Sequence, residues 1–186
     1  MISDYITHYY LAERQPFLSL SVLKLNERNR VFNELLNRHK TSPGYHRRFG
    51  KNYIDKRKKV EDILRSNFIQ RGGKPNRKHP FYFVLGESIW FKYLVENHSE
   101  IRIPIKDLNP NTVSFTFPDS YVAFSNNSKP YHGKVFILEE LEDVVNKYGL
   151  PVDDTSLNYE KYWTGDFEKY IEFQVWDDNI VKPFVS

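Results

Sequence analysis

The chain has 186 residues, 40% hydrophobic and 27% charged, which is long enough for one domain with a real core and too apolar for a disordered chain. It has no cysteine, which excludes a disulfide framework and thiolate zinc sites and fits a reducing compartment. The net charge of +3 hides a division: residues 38–78 hold fourteen Lys/Arg against three acids, dense enough to point to a polyanion partner, whereas residues 137–178 hold twelve acids against three lysines.

Taken in chain order, residues 4–10 (DYITHYY) read as a first strand, β-branched and aromatic. A short apolar segment follows at 18–23. Residues 26–39 predict a helix with Val31, Phe32, Leu35 and Leu36 in one stripe, broken by Thr41-Ser42-Pro43-Gly44. A second helix is expected over 52–68. Its inner face would be Val60, Ile63, Leu64 and Phe68, and its outer face Lys56, Arg57, Lys58, Lys59 and Arg65. Residues 72–78 form a loop by composition, and 81–85 (FYFVL) a buried strand. Then come a short helix at 87–97, a strand at 101–105, and two paired strands at 112–117 and 121–124 around Pro118-Asp119-Ser120. A brief strand at 135–136 precedes a helix over 138–148. That helix turns Leu141, Val144, Val145 and Tyr148 inward and stops at Gly149 with Pro151 beyond. Strands at 170–176 and 180–184 complete the sheet. Helices early and strands later make the class α+β, not alternating βαβ.

The strand at 170–176 carries the most telling pattern. Ile171, Phe173 and Val175 alternate onto one face, and Tyr170, Glu172, Gln174 and Trp176 onto the other. A Glu there lies either on a solvated sheet face or in a cleft. Other motifs are missing: there is no GxGxxG, P-loop, HExxH or GxSxG, and the six histidines lack metal-ligand spacing, so no metal is expected. No apolar stretch reaches 18 residues and the first residues lack a leader pattern, so neither a membrane partner nor a signal peptide is expected, and the reading is cytoplasmic. Tyr45, Phe49 and Tyr53 interleave with the basic run. Aromatics can stack bases while cations hold phosphates; the plainer reading of the run is a solvated helix face.

Four segments, in order over nearly the whole chain, resemble the DarT-type ADP-ribosyltransferases, toxins that modify DNA using NAD. They are Tyr5-Ile6-Thr7-His8; Pro80-Phe81-Tyr82-Phe83 with Gly86 and Ser88; Ser114-Phe115-Thr116-Phe117-Pro118-Asp119; and Ile171-Glu172-Phe173-Gln174-Val175. Where that family has a His two places before the Thr, this chain has Tyr5. The resemblance implies a split mixed β-sheet with helices around an NAD cleft, NAD as substrate, a nucleic-acid acceptor, an antitoxin or inhibitor protein as partner, and Glu172 as catalytic carboxylate. Cleaving the nicotinamide–ribose bond develops positive charge on the sugar, which a carboxylate stabilises. A slot for nicotinamide needs an aromatic face and polar edges, for which Tyr5, Thr7, His8 and Tyr82 are candidates. Arg47, Arg48 or Arg57 would hold the diphosphate, and Arg48, Lys56, Lys58 and Lys59 a nucleic-acid backbone. The alternatives are a non-catalytic nucleic-acid binder of the same fold, and a metal-independent nuclease toxin using His8 or His79.

Overall fold

The computed structural model describes residues 1–125, 128–153 and 168–185. Six strands form one sheet in the order β3-β1-β2-β6-β4-β5. They are β1 (Tyr5–Leu11), β2 (Phe81–Leu85), β3 (His98–Pro104), β4 (Val113–Thr116), β5 (Phe136–Ile137) and β6 (Glu172–Val175). Every pairing is antiparallel, so the expected mixed sheet is corrected to an antiparallel one. Among the described residues five α-helices accompany it: α1 (Leu25–Thr41), α2 (Tyr53–Gln70), α3 (Ile89–Leu94), α4 (Ser120–Ser125) and α5 (Leu141–Tyr148). None of the described helices is long and apolar enough to cross a membrane.

Two strands expected from the sequence are something else. Residues 121–124 lie in α4, because the Asp119 Oδ1 accepts the Tyr121 and Val122 N–H groups at 2.9 and 3.1 Å and so starts a helix. Residues 180–184 do not join the sheet but form a turn ending in a 3₁₀ helix over Lys182–Phe184, where Pro183 has no N–H for a ladder. The last helix begins as a 3₁₀ turn (Leu138–Glu140) before α5, and Gly149 ends it at φ +80°.

Pleating gives the sheet two chemically different faces. One is apolar: Ile6, Phe81, Phe83, Leu85, Phe115, Phe173 and Val175 form the main core, closed by Leu141, Val144 and Val145 of α5. Phe115, Phe173 and Phe136 stack across β4, β6 and β5 at 5.3–5.4 Å between rings. The other face is polar. One row reads Val84, Glu172, Thr116 and the next Tyr82, Gln174, Ser114 across β2, β6 and β4. Helix α2 belongs to this side: Val60, Leu64 and Phe68 pack with Trp176.

The register of α2 departs from expectation. Ile63 is 42% exposed, whereas Arg57 and Glu61 are buried. The buried stripe 57, 60, 61, 64, 68 has helical spacing, so polar residues occupy its N-terminal half, where they meet the polar sheet face. Arg57 thus leaves the predicted outer face, and only Lys56, Lys58, Lys59 and Arg65 remain of that set.

Candidate active site

Glu172 opens β6, the strand between β2 and β4, with Val84 and Thr116 as its cross-strand neighbours. It is 6% exposed. Its described hydrogen bonds all fall on Oε1. The Ser120 N–H donates at 3.3 Å, the Ser120 hydroxyl donates in a short bond, the Gln174 Nε2 donates at 3.1 Å, and the Arg57 guanidinium lies 3.6 Å away. Oε2 takes no partner from the described residues.

A relay across the sheet face fixes the Gln174 amide. The Trp176 indole N–H donates to the Ser114 Oγ at 2.9 Å, and that hydroxyl donates to the Gln174 Oε1 at 2.9 Å. The amide nitrogen therefore points the other way, to the Thr116 Oγ1 at 3.1 Å and to Glu172. Trp176, Ser114 and Gln174 are each 0% exposed, so none can turn to water instead.

Arg57 sits between two carboxylates. Its Nε is 3.5 Å from the Glu61 Oε1, its Nη1 donates to the Ser120 Oγ at 3.0 Å, and its guanidinium lies over the Tyr82 ring at 3.9 Å. Burial works against its charge, but Tyr82, Glu172, Tyr53 and Glu61 outweigh it and hold the guanidinium pKa well above the ordinary value. Glu61 is 0% exposed and accepts from Ser21 Oγ at 2.9 Å and Tyr82 OH at 2.9 Å, with His79 Nδ1 at 2.6 Å. Burial pushes the Tyr82 phenol well above its usual pKa, so it stays a neutral donor to Glu61.

Of these groups, Glu172, Arg57, Tyr82 and Ser21 line a cavity of about 570 Å³, and the others support them from behind. Its walls include Tyr53, Trp90, Tyr121 and Tyr170, with Arg47 and Arg48 among its cations. Tyr53 stacks with Tyr121 at 6.1 Å, Trp90 with Tyr170 at 5.6 Å, and the Arg47 guanidinium covers Phe49 at 4.7 Å. Asp119 also lines the cavity. Its Oδ2 is buried without a hydrogen-bond partner among the described residues. Burial, then the neighbouring Glu172 charge, lift its pKa to about 7, against the pull of the Val122 amide and Arg57.

Family models, curated proteins and solved structures give no match to this chain.

The candidates named from the sequence divide clearly. Glu172, Thr7, His8, Tyr82, Arg47, Arg48 and Arg57 all line the cavity. Tyr5 does not. Its ring lies under the Arg102 guanidinium at 5.1 Å beside β3. Thr7 is 0% exposed and its hydroxyl donates to the Gly86 carbonyl at 2.5 Å. His8 is committed in the same way: its Nε2 accepts the Phe17 N–H at 3.0 Å, so Nδ1 carries the proton and donates to the Tyr82 carbonyl at 2.8 Å. Burial, opposed by that bond, lowers its pKa to about 4. This ring bond forms where the β1–β2 register ends, after Ile6↔Leu85 and Thr7↔Val84. Lys56 and Lys59 are exposed and Lys58 half-buried, all outside the cavity lining. His79 also lies outside it, bonded to Glu61.

Sequence reasoning missed Glu61, Ser120, Asp119 and Tyr170. Two of the missing signals were present. Arg57 and Glu61 have i,i+4 spacing, and Asp119-Ser120 after a proline is an N-cap as readily as a turn.

Proposed function

We propose that the protein is an NAD-dependent ADP-ribosyltransferase with a nucleic-acid acceptor, and that Glu172 is its catalytic carboxylate. The observation that carries this is the state of Glu172: buried in the lining of a large aromatic cavity, with Oε1 held by three hydrogen-bond donors and the Arg57 ion pair, and Oε2 without a partner among the described residues. Such a carboxylate meets an electron-poor ligand without having to reorganise.

The residues present fit NAD. A cavity of about 570 Å³ lies in the usual range for organic ligands, roughly 300–1,000 Å³. Its aromatic walls suit the flat nicotinamide and adenine rings, and Arg47 and Arg48 suit the diphosphate. NAD supplies a cationic leaving group on a ribose. Glu172 would stabilise the positive charge that grows on that sugar, while Arg57 and Gln174 hold its carboxylate in place. Arg57 would act as a positioning residue: it shares Ser120 with Glu172 and is anchored by Glu61 and Tyr82. The nucleic-acid part of the reading is supported by the density of cations over residues 38–78, of which Arg47 and Arg48 reach the cavity.

The test is release of nicotinamide from NAD together with label transfer to single-stranded oligonucleotides. Glu172→Gln keeps an acceptor near the Oε1 position and removes the charge. It should lower transfer by at least about 10²-fold, the scale of lost charge stabilisation, with the melting temperature within a few degrees of wild type. Wild-type transfer by that variant, or no nicotinamide release by the wild type, would overturn the assignment.

A further inference from the structure

Resting on the transferase reading, we infer that Asp119 is a second catalytic carboxylate and that its Oδ2 accepts the proton of a nucleobase N–H as that nitrogen takes the ADP-ribosyl group. The geometry divides the two oxygens of Asp119 by task. Oδ1 is spent on the Tyr121 and Val122 N–H groups at the start of α4, which locks the side chain. Oδ2 is buried and unpartnered in a residue 5% exposed that lines the cavity. A buried acceptor without a donor costs stability unless a ligand satisfies it.

Its neighbours define what that ligand can be. Ser120, the next residue, donates to Glu172, so the two carboxylates flank one region of the cavity. Arg57 from α2, Glu172 from β6 and Tyr170 just before it are the ionisable groups acting electrostatically with Asp119. Tyr121 in α4 and the stacked Trp90–Tyr170 pair are cavity walls of the kind a planar base stacks on. A flat ring presenting an N–H edge to Oδ2 matches this arrangement, whereas a phosphate or another carboxylate would be repelled.

The step balances. The bond between ribose C1′ and the nicotinamide nitrogen breaks, and its electron pair leaves with neutral nicotinamide. The nucleobase nitrogen forms a bond to C1′ and gives its proton to the Asp119 Oδ2, which later yields it to solvent. Glu172 answers the charge on the sugar; Asp119 answers the charge on the acceptor. With its pKa raised to about 7, Asp119 is matched to proton transfer near neutral pH.

Asp119→Asn is the decisive variant, because Asn caps helices as well as Asp and keeps Oδ1 for the two amides. With an oligonucleotide acceptor, its transfer rate should fall about 10²–10⁴-fold, the usual range for loss of a general base. The wild-type rate should decline as pH falls below about 7, and the residual rate of the variant should lack that step. Hydrolysis of NAD without oligonucleotide needs no base at the acceptor, so transfer should fall by a larger factor than hydrolysis does. Transfer within threefold of wild type, or equal loss of hydrolysis and transfer with melting unchanged, would overturn the role of Asp119 and leave Glu172 untouched. An inactive wild type would instead sink the transferase reading itself.

Discussion

A buried titratable side chain reveals its work by which of its atoms are already committed. His8 is committed at both ring nitrogens, to Phe17 and Tyr82, and its ring stacks on Phe17 at 4.4 Å, where Phe17 adopts φ +62°. It therefore serves the fold, holding together the point where β1 and β2 part, and neither ring nitrogen is left for a ligand. A histidine whose pKa drops from 6.5 to about 4 on folding gives stability that is complete above about pH 6.5 and is lost as pH falls toward 4, because the unfolded chain binds the proton first. The loss should reach the order of 2–3 kcal/mol. Urea melts at pH 7.5 and pH 5 should show it, and His8→Gln, which keeps a donor and an acceptor, should flatten the difference; an unchanged difference would place the acid sensitivity elsewhere. Glu172 and Gln174 were legible from alternation alone, because polar residues on a strand whose other face is apolar stand out at period two. The burial of Arg57 was only half legible: its i,i+4 spacing to Glu61 is matched by that of Lys58 to Asp62, and only the polar sheet beneath α2 decides which pair is buried.

At the scale of elements, α2 has two jobs on opposite sides. Tyr53 and Arg57, one turn apart, face the cavity, and Glu61, one turn further on, anchors Arg57 from below, while Lys56 and Lys59 face solvent. This changes what the basic run can do for a nucleic acid. With Arg57 withdrawn, Lys56, Lys58 and Lys59 are left to meet a backbone, and about two would touch phosphates at once. Replacing all three with Ala should flatten the log–log salt dependence of oligonucleotide binding by about 1.4 units, at about 0.7 per phosphate on a single strand. An unchanged slope would make them a solvated face only. The helices α1, α2 and α5 and the strand β6 were legible from their periods, and β1 and β2 from their β-branched and aromatic content. The misread segments share a cause: aromatic and β-branched content outweighed the cap at Asp119 and the proline at 183.

At the scale of the molecule, the sheet is a partition between an aromatic core under α5 and a polar seam under α2. NAD bound in the cavity should raise the melting temperature by about 5 to 10 °C at a hundredfold excess over its dissociation constant, the equivalent of about 2.7 kcal/mol in a domain of this size. ATP at equal concentration should shift it less; an equal shift would mean that the arginines collect phosphates and nothing more. The seam has a further consequence, in the antagonism between stability and function. Arg57, Glu61, Tyr82 and Glu172 fill a helix–sheet interface that Leu, Met and Phe would fill without desolvating any charge. Glu61→Leu alone strands Arg57 and should destabilise by about 3–5 kcal/mol. Replacing the four together by Arg57→Met, Glu61→Leu, Tyr82→Phe and Glu172→Met should cost far less than the sum of the single changes. Such a chain would fold, melt near the wild type and no longer respond to NAD. Folding alone would then favour a simpler interface than the one this sequence keeps, and the frustration stored beneath α2 is the mark selection for chemistry would leave on it.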